Sequence, residues 1–165
     1  MIFLIILFLS KGIMAQEKGI KEFDFLIGTW ETREDNVEEE WWETSTREIK
    51  YALKGNYIEL KASSIDSNGR EREYYWYINY NKKTAQFEMV SMFSNWHKTQ
   101  FDILDWDSEK RKLTIRSNPG NFPERFGEII FSEDFNGYTW EGENKYGDPN
   151  NPSIWKYIEK GFRNK

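Results

Sequence analysis

The feature that most constrains the fold of this chain is a series of short alternating segments separated by turn residues. From Trp30 onward, apolar and polar residues alternate over about ten such segments, and helical spacing is rare. Aromatic residues make up 18% of the chain, and they favour pleated strands. The pattern therefore predicts an all-β, antiparallel, up-and-down sheet. Turn residues connect the segments at Lys54-Gly55-Asn56, Asp66-Ser67-Asn68-Gly69, Asn81-Lys82-Lys83, Asp107-Ser108-Glu109-Lys110 and Asn136-Gly137.

Closure of this sheet into a barrel is expected, because an open sheet would expose two unpaired edges. Ten strands about 4.8 Å apart and tilted by about 40° give a backbone radius of about 10 Å, which leaves room for a small ligand or for inward-pointing aromatic side chains. We expect a short helix around Lys18 to Leu26 before the first strand. The segments "NPGNFPE" and "GDPNNPS" contain all 4 prolines and are expected to lie outside the strands.

The N-terminus carries an eight-residue apolar run, "IFLIILFL", followed by "SKGIMAQ". As a helix this run would be about 12 Å long, shorter than the roughly 30 Å hydrocarbon core of a bilayer. It predicts a secretory signal peptide over residues 1–15, cleaved near Ala15, and a single mature domain over residues 16–165. We therefore expect an exported protein, periplasmic or extracellular, with no transmembrane segment in the mature chain.

Composition excludes several classes of site. The chain has no cysteine, which excludes disulfides and thiolate chemistry, and its net charge of -5 without a basic stripe argues against a nucleic-acid partner. His97 is the single histidine, and we expect a structural role at a strand end, with no metal site and no cofactor. The oligomeric state stays open. The paired carboxylates are expected on solvated strand faces: Glu71 and Glu73; Asp102, Asp105 and Asp107; Glu141 and Glu143.

The segment "FDFLIGTWE" resembles the start of the calycins, the lipocalins and their relatives. In those families a tryptophan closes one end of the barrel and often stacks with an arginine just beyond the last strand. The resemblance implies this role for Trp30, with Arg163 as its partner and Gly28 at the tight turn. A buried indole and a guanidinium over its face are a physically sensible pair. The nitrobindin-like haem binders differ, because this chain lacks their glycine-rich strand, and haem is not expected.

A further resemblance covers nearly the whole predicted mature domain. "FLIGTW", "ALKGNYIEL" and "YWYINYNKKTAQFEMVSMFSN" are similar, in the same order, to elements of the lipocalin-like family DUF1579. The family's hairpin pattern falls on Tyr80, Asn81, Thr84 and Phe87. This resemblance implies a calycin-like β-barrel in a secreted or periplasmic protein, and it implies no established activity.

The aromatic side chains are the best indication of function, because they exceed what a small core needs. Aromatic residues that alternate along a strand share one face and suit an apolar, aromatic or sugar ligand. Arg47 or Lys156 is expected to orient the ligand. The predicted ligand-binding residues are Trp42, Tyr74, Trp76, Met89, Ser91, Trp140 and Tyr157.

Three functions remain open at this point. The first is binding of a small, largely apolar or aromatic ligand without catalysis. The second is a hydrolase or isomerase that uses a buried carboxylate in the barrel mouth, which requires an Asp or Glu in the cavity with a raised pKa. The third is a structural or interaction domain with a solid core and exposed aromatics such as Trp41.

Overall fold

The computed structural model describes residues 19–164, and these form one closed antiparallel β-barrel of ten strands. The predicted signal peptide, its cleavage near Ala15 and the expected helix start at Lys18 lie outside the described residues. A 3₁₀ helix (Ile20–Leu26) precedes the barrel and a 3₁₀ turn (Leu53–Gly55) lies between the second and third strands. The strands are β1 (Gly28–Asn36), β2 (Trp42–Ala52), β3 (Tyr57–Asp66), β4 (Glu71–Asn81), β5 (Gln86–Phe93), β6 (Trp96–Asp107), β7 (Lys112–Ser117), β8 (Glu124–Phe131), β9 (Gly137–Asp148) and β10 (Asn151–Arg163).

Each strand pairs with its neighbours in sequence, and β1 closes the barrel by pairing with β10. The register places Trp30 between Arg47 of β2 and Arg163 of β10. The predicted all-β, up-and-down barrel of about ten strands with a short N-terminal helix is confirmed. No helix among residues 19–164 is long and apolar enough to cross a bilayer.

The "GDPNNPS" segment differs from its expectation. We expected both of its prolines outside the strands, but β9 and β10 continue almost to each other and Pro152 is the second residue of β10. Only Pro149 and Asn150 connect the two strands. A proline is tolerated close to a strand end, where a ladder donor is not required. The "NPGNFPE" segment does form the connection between β7 and β8, up to Glu124, the first residue of β8.

The 3₁₀ helix closes one end of the barrel with apolar side chains. Phe23 is fully buried against Phe87, with ring centroids 4.4 Å apart, and Phe25 stacks on Trp106 at 4.6 Å. The Trp30 indole donates to the carbonyl of Leu26 at 2.8 Å, and the Arg163 guanidinium lies 4.8 Å from the Trp30 ring centroid. Gly28 has φ 137°, a conformation that favours glycine, where the chain enters β1. The "FDFLIGTW" segment is therefore the apolar plug of this end.

The barrel interior changes from apolar to polar along its axis. Next to the plug, the inward-facing side chains are Ile58, Ile78, Leu104 and Leu113, all buried. Toward the other end of the barrel, inward positions carry hydroxyls and charges that are also buried, such as Ser45, Arg47, Ser91, Asp102, Arg125 and Glu159. Buried charges need partners inside the protein, so this polar half requires specific pairing.

Candidate functional site

A cavity of about 770 Å³ opens at the end of the barrel opposite the 3₁₀ helix. Its mouth is surrounded by the connections between β1 and β2, β3 and β4, β5 and β6, β7 and β8, and β9 and β10. Aromatic and charged side chains alternate around its wall. The aromatic residues that line it are Trp41, Tyr74, Trp76, Phe93, Trp96, Phe122, Trp140, Tyr146, Trp155 and Tyr157.

Three aromatic rings form a continuous edge-to-face wall in the depth of this cavity. The Trp76 and Trp140 ring centroids are 5.7 Å apart with their planes at 83°, and Trp140 and Tyr157 are 5.4 Å apart at 80°. Glycines on the neighbouring strands make room for these rings. A Cβ at Gly127 would lie 2.3 Å from Nε1 of Trp140, and one at Gly142 would lie 2.5 Å from the Tyr157 hydroxyl oxygen. The lack of a side chain at Gly127 of β8 and at Gly142 of β9 thus leaves the space that the rings of Trp140 and Tyr157 occupy.

A second aromatic group stands at the mouth. Trp41 and Trp155 meet edge to face with centroids 4.9 Å apart, and the Arg72 guanidinium lies 5.5 Å from the Trp41 ring. Trp41 was expected to be an exposed contact residue. It is instead half-buried and part of the cavity wall, because it packs on Trp155 from the far end of the chain.

Two guanidinium groups lie over the Trp76 ring. The Arg47 guanidinium carbon is 5.4 Å from the ring centroid and that of Arg125 is 5.8 Å away. Such cation–π contacts contribute more when they are desolvated. Trp76 is therefore held in place from β2 and from β8, two strands that are not its neighbours in the sheet.

Each of these arginines is paired with a buried carboxylate. Arg47 donates to both carboxylate oxygens of Glu159, with the Nη1 to Oε1 contact at 2.9 Å, and the Tyr138 hydroxyl donates to the same Oε1 at 2.6 Å. Burial alone would lower the pKa of Arg47, but the charge of Glu159 raises the pKa above its ordinary value. The guanidinium therefore stays charged.

Arg125 has a comparable arrangement. Its Nη1 donates to Oδ2 of Asp102 at 3.1 Å, and its Nη2 donates to Oε1 of Gln100 at 3.2 Å. Burial raises the pKa of Asp102, although Arg125 acts in the opposite direction. Asp102 was expected on a solvated face, and this is wrong: the residue is only 2% exposed because its side chain points inward to Arg125.

A third polar group lies near the mouth. The Tyr74 hydroxyl donates to Glu43, and Arg72 forms ion pairs with Glu43 at 3.2 Å and with Asp66 at 3.0 Å. Burial, followed by the hydrogen bond to Glu43, raises the pKa of Tyr74 above its ordinary value. Tyr74 is therefore a neutral hydroxyl at physiological pH.

Glu34 is a half-buried carboxyl group of the cavity wall, and it forms no ion pair within residues 19–164. Its Oε1 accepts a hydrogen bond from Nε1 of Trp155 at 3.3 Å. Burial, reinforced by the negative charge of Glu159, raises the pKa of Glu34 to about 8. Near neutral pH this group is therefore mainly a carboxylic acid, which can donate as well as accept a hydrogen bond.

Four buried side-chain atoms of the cavity wall have no hydrogen-bond partner within residues 19–164. They are the indole nitrogens of Trp76 and Trp140, Oδ1 of Asn144 and Oε2 of Glu43. Of these, Oε2 of Glu43 lies 3.2 Å from Nη1 of Arg72 in an ion pair. A buried polar group without a partner is costly, and most such groups in proteins are satisfied. Nε1 of Trp140 is closed off from the cavity because it lies against the backbone of β8 at Gly127.

The structure places the seven predicted ligand-binding residues in three different environments. Tyr74, Trp76, Trp140 and Tyr157 line the cavity. Met89 and Ser91 point into the barrel but are buried under other side chains and do not line the cavity.

Trp42 lies on the outer surface, half-buried, with the Arg33 guanidinium 5.0 Å from its ring. Of the two residues expected to orient a ligand, Arg47 is in the cavity wall, whereas Lys156 points outward and pairs with Glu38 at 3.1 Å.

Glu34, Arg125 and Trp155 line the cavity but were not among the predicted ligand-binding residues. Glu34 could have been found from its spacing, since it alternates with Trp30 and Thr32 on one face of β1. Trp155 carries the same kind of signal, since it alternates with Tyr157 on β10. Arg125 carries no comparable signal, because its importance comes from its partners on β6.

Other expected positions are exposed. Glu71, Glu73, Asp105 and Glu141 are exposed on the outside, Asp107 and Glu143 are half-exposed, and His97 is exposed at the start of β6. Within residues 19–164 no group of His, Asp and Glu side chains is arranged to hold a metal ion.

Comparisons with known proteins support the β-barrel fold. No protein-family model matches the chain, and no match exists among curated proteins. Among solved structures, the S-type phycobiliprotein lyase CPES from Guillardia theta is similar over 90% of this chain and 94% of its own, with 10% identity and a TM-score of 0.64. At this identity the likeness establishes the shared β-barrel fold alone.

Two engineered barrels are also similar. The alignment with a de novo designed fluorescence-activating β-barrel covers 86% of this chain and 95% of the designed chain, with 13% identity and a TM-score of 0.49. The alignment with the redesigned β-barrel mFAP0, whose structure is bound to DFHBI, covers 84% of this chain and 99% of the mFAP0 chain, with 14% identity and a TM-score of 0.47.

Proposed function

We propose that this chain is an exported, lipocalin-like barrel of the DUF1579 type that binds a small, largely apolar or aromatic ligand without catalysis. The observation that carries the proposal is the aromatic wall of Trp76, Trp140 and Tyr157 in a cavity of about 770 Å³. This volume lies in the range of about 300–1,000 Å³ that is usual for small-molecule sites. The solid-core alternative does not agree with a cavity of this size.

The binding mechanism is burial of ligand surface against rigid aromatic rings. The edge-to-face contacts and the two arginines over Trp76 hold the wall in place before a ligand arrives, so little ordering entropy remains to be lost on binding. The apolar plug at the other end makes the mouth the entrance. Glu34, Tyr74 and Asn144 are polar groups of the wall that would fix the orientation of the ligand.

The experiment that tests this function compares the same substitution inside and outside the barrel. A calorimetric and native mass spectrometry screen with planar aromatics, tetrapyrroles, lipids and glycans identifies a binder of the purified domain. Trp140→Phe is expected to weaken its binding severalfold, whereas Trp42→Phe on the outer face is expected to leave it unchanged. A complete screen without a binder, or equal loss in both variants, contradicts the proposal.

Export is tested separately, on the full chain with its natural N-terminus. We expect the exported fraction to contain a protein that begins at Gln16. Retention of Met1 in the exported fraction, or retention of the protein in the cytoplasm, contradicts this part of the proposal.

A hydrolase or isomerase is the second candidate function, and Glu34 is the observation that favours it. A carboxyl group in the barrel mouth with a pKa of about 8 is suited to general acid–base chemistry near neutral pH. In that case a turnover assay on the ligand found in the screen would detect product, and Glu34→Gln would abolish it. Unchanged ligand after prolonged incubation with the wild type excludes this candidate.

A further inference from the structure

Three charged side chains around the mouth of the cavity form no ion pair within residues 19–164. Arg70 lies on the connection between β3 and β4, Lys98 lies on β6, and Glu39 lies on the connection between β1 and β2. All three residues are exposed, and all three line the cavity. Their charges are therefore available to a bound molecule.

The two cations belong to the inward-facing rows of the barrel. Lys98 alternates on β6 with Trp96 and Gln100, and all three residues line the cavity. Arg70 stands two residues before Arg72 of β4, which lines the cavity as well. Both positive charges therefore stand at the entrance of the cavity.

The other fully charged groups of the cavity lining are matched by ion pairs. The pairs are Arg47 with Glu159, Arg125 with Asp102, Arg72 with Glu43 and Asp66, and Glu124 with Lys145. Glu34 has a pKa of about 8 and is mainly a carboxylic acid near neutral pH. In the part of the chain that the structure describes, the unmatched charge of the lining is therefore two cations against the carboxylate of Glu39, and all of it lies at the mouth.

This local excess of positive charge has the opposite sign to the charge of the whole chain. The net charge of the protein is -5, so its overall field does not attract anions. An anion that binds at the mouth is therefore selected by the local arrangement of charges there. Deeper in the cavity the aromatic wall offers apolar surface. The cavity thus combines an apolar interior with a cationic entrance.

We propose that the ligand is an amphipathic anion, whose apolar or aromatic body lies against the aromatic wall and whose carboxylate or similar anionic group lies at the mouth near Arg70 and Lys98. This inference rests on the proposed binding function and adds the charge and the orientation of the ligand. The guanidinium fork of an arginine matches a carboxylate in geometry, and the ammonium group of a lysine attracts it as a point charge. Deeper in the cavity each guanidinium already has its own carboxylate, so the anionic group is better placed at the entrance.

Three pyrene derivatives of nearly the same length separate the effect of charge from apolar burial. Near neutral pH, 1-pyrenebutyrate is an anion, 1-pyrenebutanol is uncharged and 1-pyrenebutylammonium is a cation. Pyrene fluorescence and calorimetry give their affinities for the purified domain at low ionic strength. We expect the butyrate to bind about three- to tenfold more tightly than the butanol, as exposed ion pairs allow, and the ammonium compound to bind most weakly. Added salt is expected to reduce the preference for the butyrate.

Charge-neutralising variants test which side chains cause the preference. The ratio of the butyrate affinity to the butanol affinity isolates the charge, because a change in apolar burial affects both probes alike. Arg70→Gln and Lys98→Gln are each expected to lower this ratio about two- to fivefold, whereas Glu39→Gln is expected to raise it. Lys54→Gln is the matched control, because Lys54 is exposed on the 3₁₀ turn between β2 and β3, away from the mouth. It changes the net charge equally and is expected to leave the ratio unchanged.

The possible failures are distinguishable. Binding of the butanol as tight as that of the butyrate, tightest binding of the ammonium compound, or a ratio that neither Arg70→Gln nor Lys98→Gln lowers overturns the ligand class and leaves the binding function standing. Absence of binding by all three probes counts against the binding function itself, and the ligand class falls with it. Two independent cation variants at exposed positions keep the test decisive if one of them does not fold.

Discussion

Gly127 and the indole of Trp140 occupy adjoining space, so that a Cβ on Gly127 would lie 2.3 Å from Nε1 of Trp140. The indole of Trp140, on β9, therefore packs directly on the backbone of β8 at Gly127. The missing side chain at Gly127 is what leaves space for the ring. The same relationship holds between Gly142 and Tyr157 and between Gly161 and Tyr138, where a Cβ would lie 2.2 Å from a ring carbon. These three glycines shape one side of the barrel interior.

Gly127→Ala is expected to displace Trp140 and to weaken ligand binding. The added methyl overlaps a rigid ring, and overpacking of this kind costs about 1–3 kcal/mol of the free energy of unfolding. Near-UV circular dichroism reports the displaced indole and urea denaturation reports the loss of stability. Gly19→Ala is the control, because a Cβ there has no atom within 4 Å. Equal near-UV spectra and equal free energies of unfolding for the two variants would show that the position of the Trp140 ring does not depend on the missing side chain at Gly127.

Arg47→Met is expected to destabilise the domain by about 3–5 kcal/mol, because it leaves Glu159 buried and unpaired. Replacement of both partners, Arg47→Met with Glu159→Met, is expected to recover much of that loss. Lys156→Met removes the exposed pair with Glu38 and is expected to cost at most about 1 kcal/mol. Urea denaturation of the three variants measures these differences. A double variant no more stable than Arg47→Met contradicts the explanation by an unpaired charge.

Phe23→Ala is expected to cost about 3–5 kcal/mol of the free energy of unfolding, since the ring is fully buried in the plug. Phe126→Ala is the matched control on the outer face, where the side chain is 50% exposed. Surface substitutions of this kind change stability by about 0.5 kcal/mol or less. Thermal and urea denaturation compare the two. A small effect of Phe23→Ala would mean that the 3₁₀ helix is not part of the cooperative fold.

Glu34 is expected to make stability depend on pH. Its pKa is about 8 in the folded protein against an ordinary value of 4.5, so between these values the folded state binds more protons than the unfolded state. Stability from this group is therefore complete below pH 4.5, falls as pH rises from 4.5 to about 8, and is lowest above that window. Glu34→Gln is expected to remove this fall, so that its stability relative to the wild type increases across the window.

Denaturation curves of both proteins at a series of pH values between 4 and 9 measure this difference. Parallel pH profiles of wild type and Glu34→Gln would show that Glu34 ionises normally in the folded protein. A relative stability that changes in the opposite direction would show that its carboxylate is stabilised by the fold.

The barrel and its plug could be predicted from sequence because they depend on local signals. Turn residues divide the chain into strands, and the alternation along β4 and β9 places Trp76 on one face with Tyr74 and Trp140 on one face with Tyr138. Alternation does not tell which of the two faces points inward, because one bulge reverses it. The plug was recognisable from "FDFLIGTW", where apolar residues precede Gly28 and Trp30. Each of these features can be predicted from residues that are close together in the sequence.

The polar half of the site could not be predicted in the same way. Trp41 and Trp42 are adjacent, so one must face inward and the other outward, and composition does not decide which. On β2 the inward residues after Trp41 are Glu43, Ser45 and Arg47, against the usual rule that apolar residues face the interior. They are tolerated there because Arg47 meets Glu159, 112 residues away, and Glu43 meets Tyr74, 31 residues away. Only the closed barrel brings these partners together.

A ligand site in the open end of the barrel is tested most directly by the indole N–H signals of the 8 tryptophans in a two-dimensional NMR titration with the binder that the screen identifies. The signals of Trp76 and Trp140, whose rings line the cavity, are predicted to move on binding. The signals of Trp30, which lies in the plug end and donates to Leu26, and of Trp42 on the outer surface are predicted to stay in place. Changes confined to Trp42, or no change at a saturating concentration of the binder, would contradict a ligand site in the open end of the barrel.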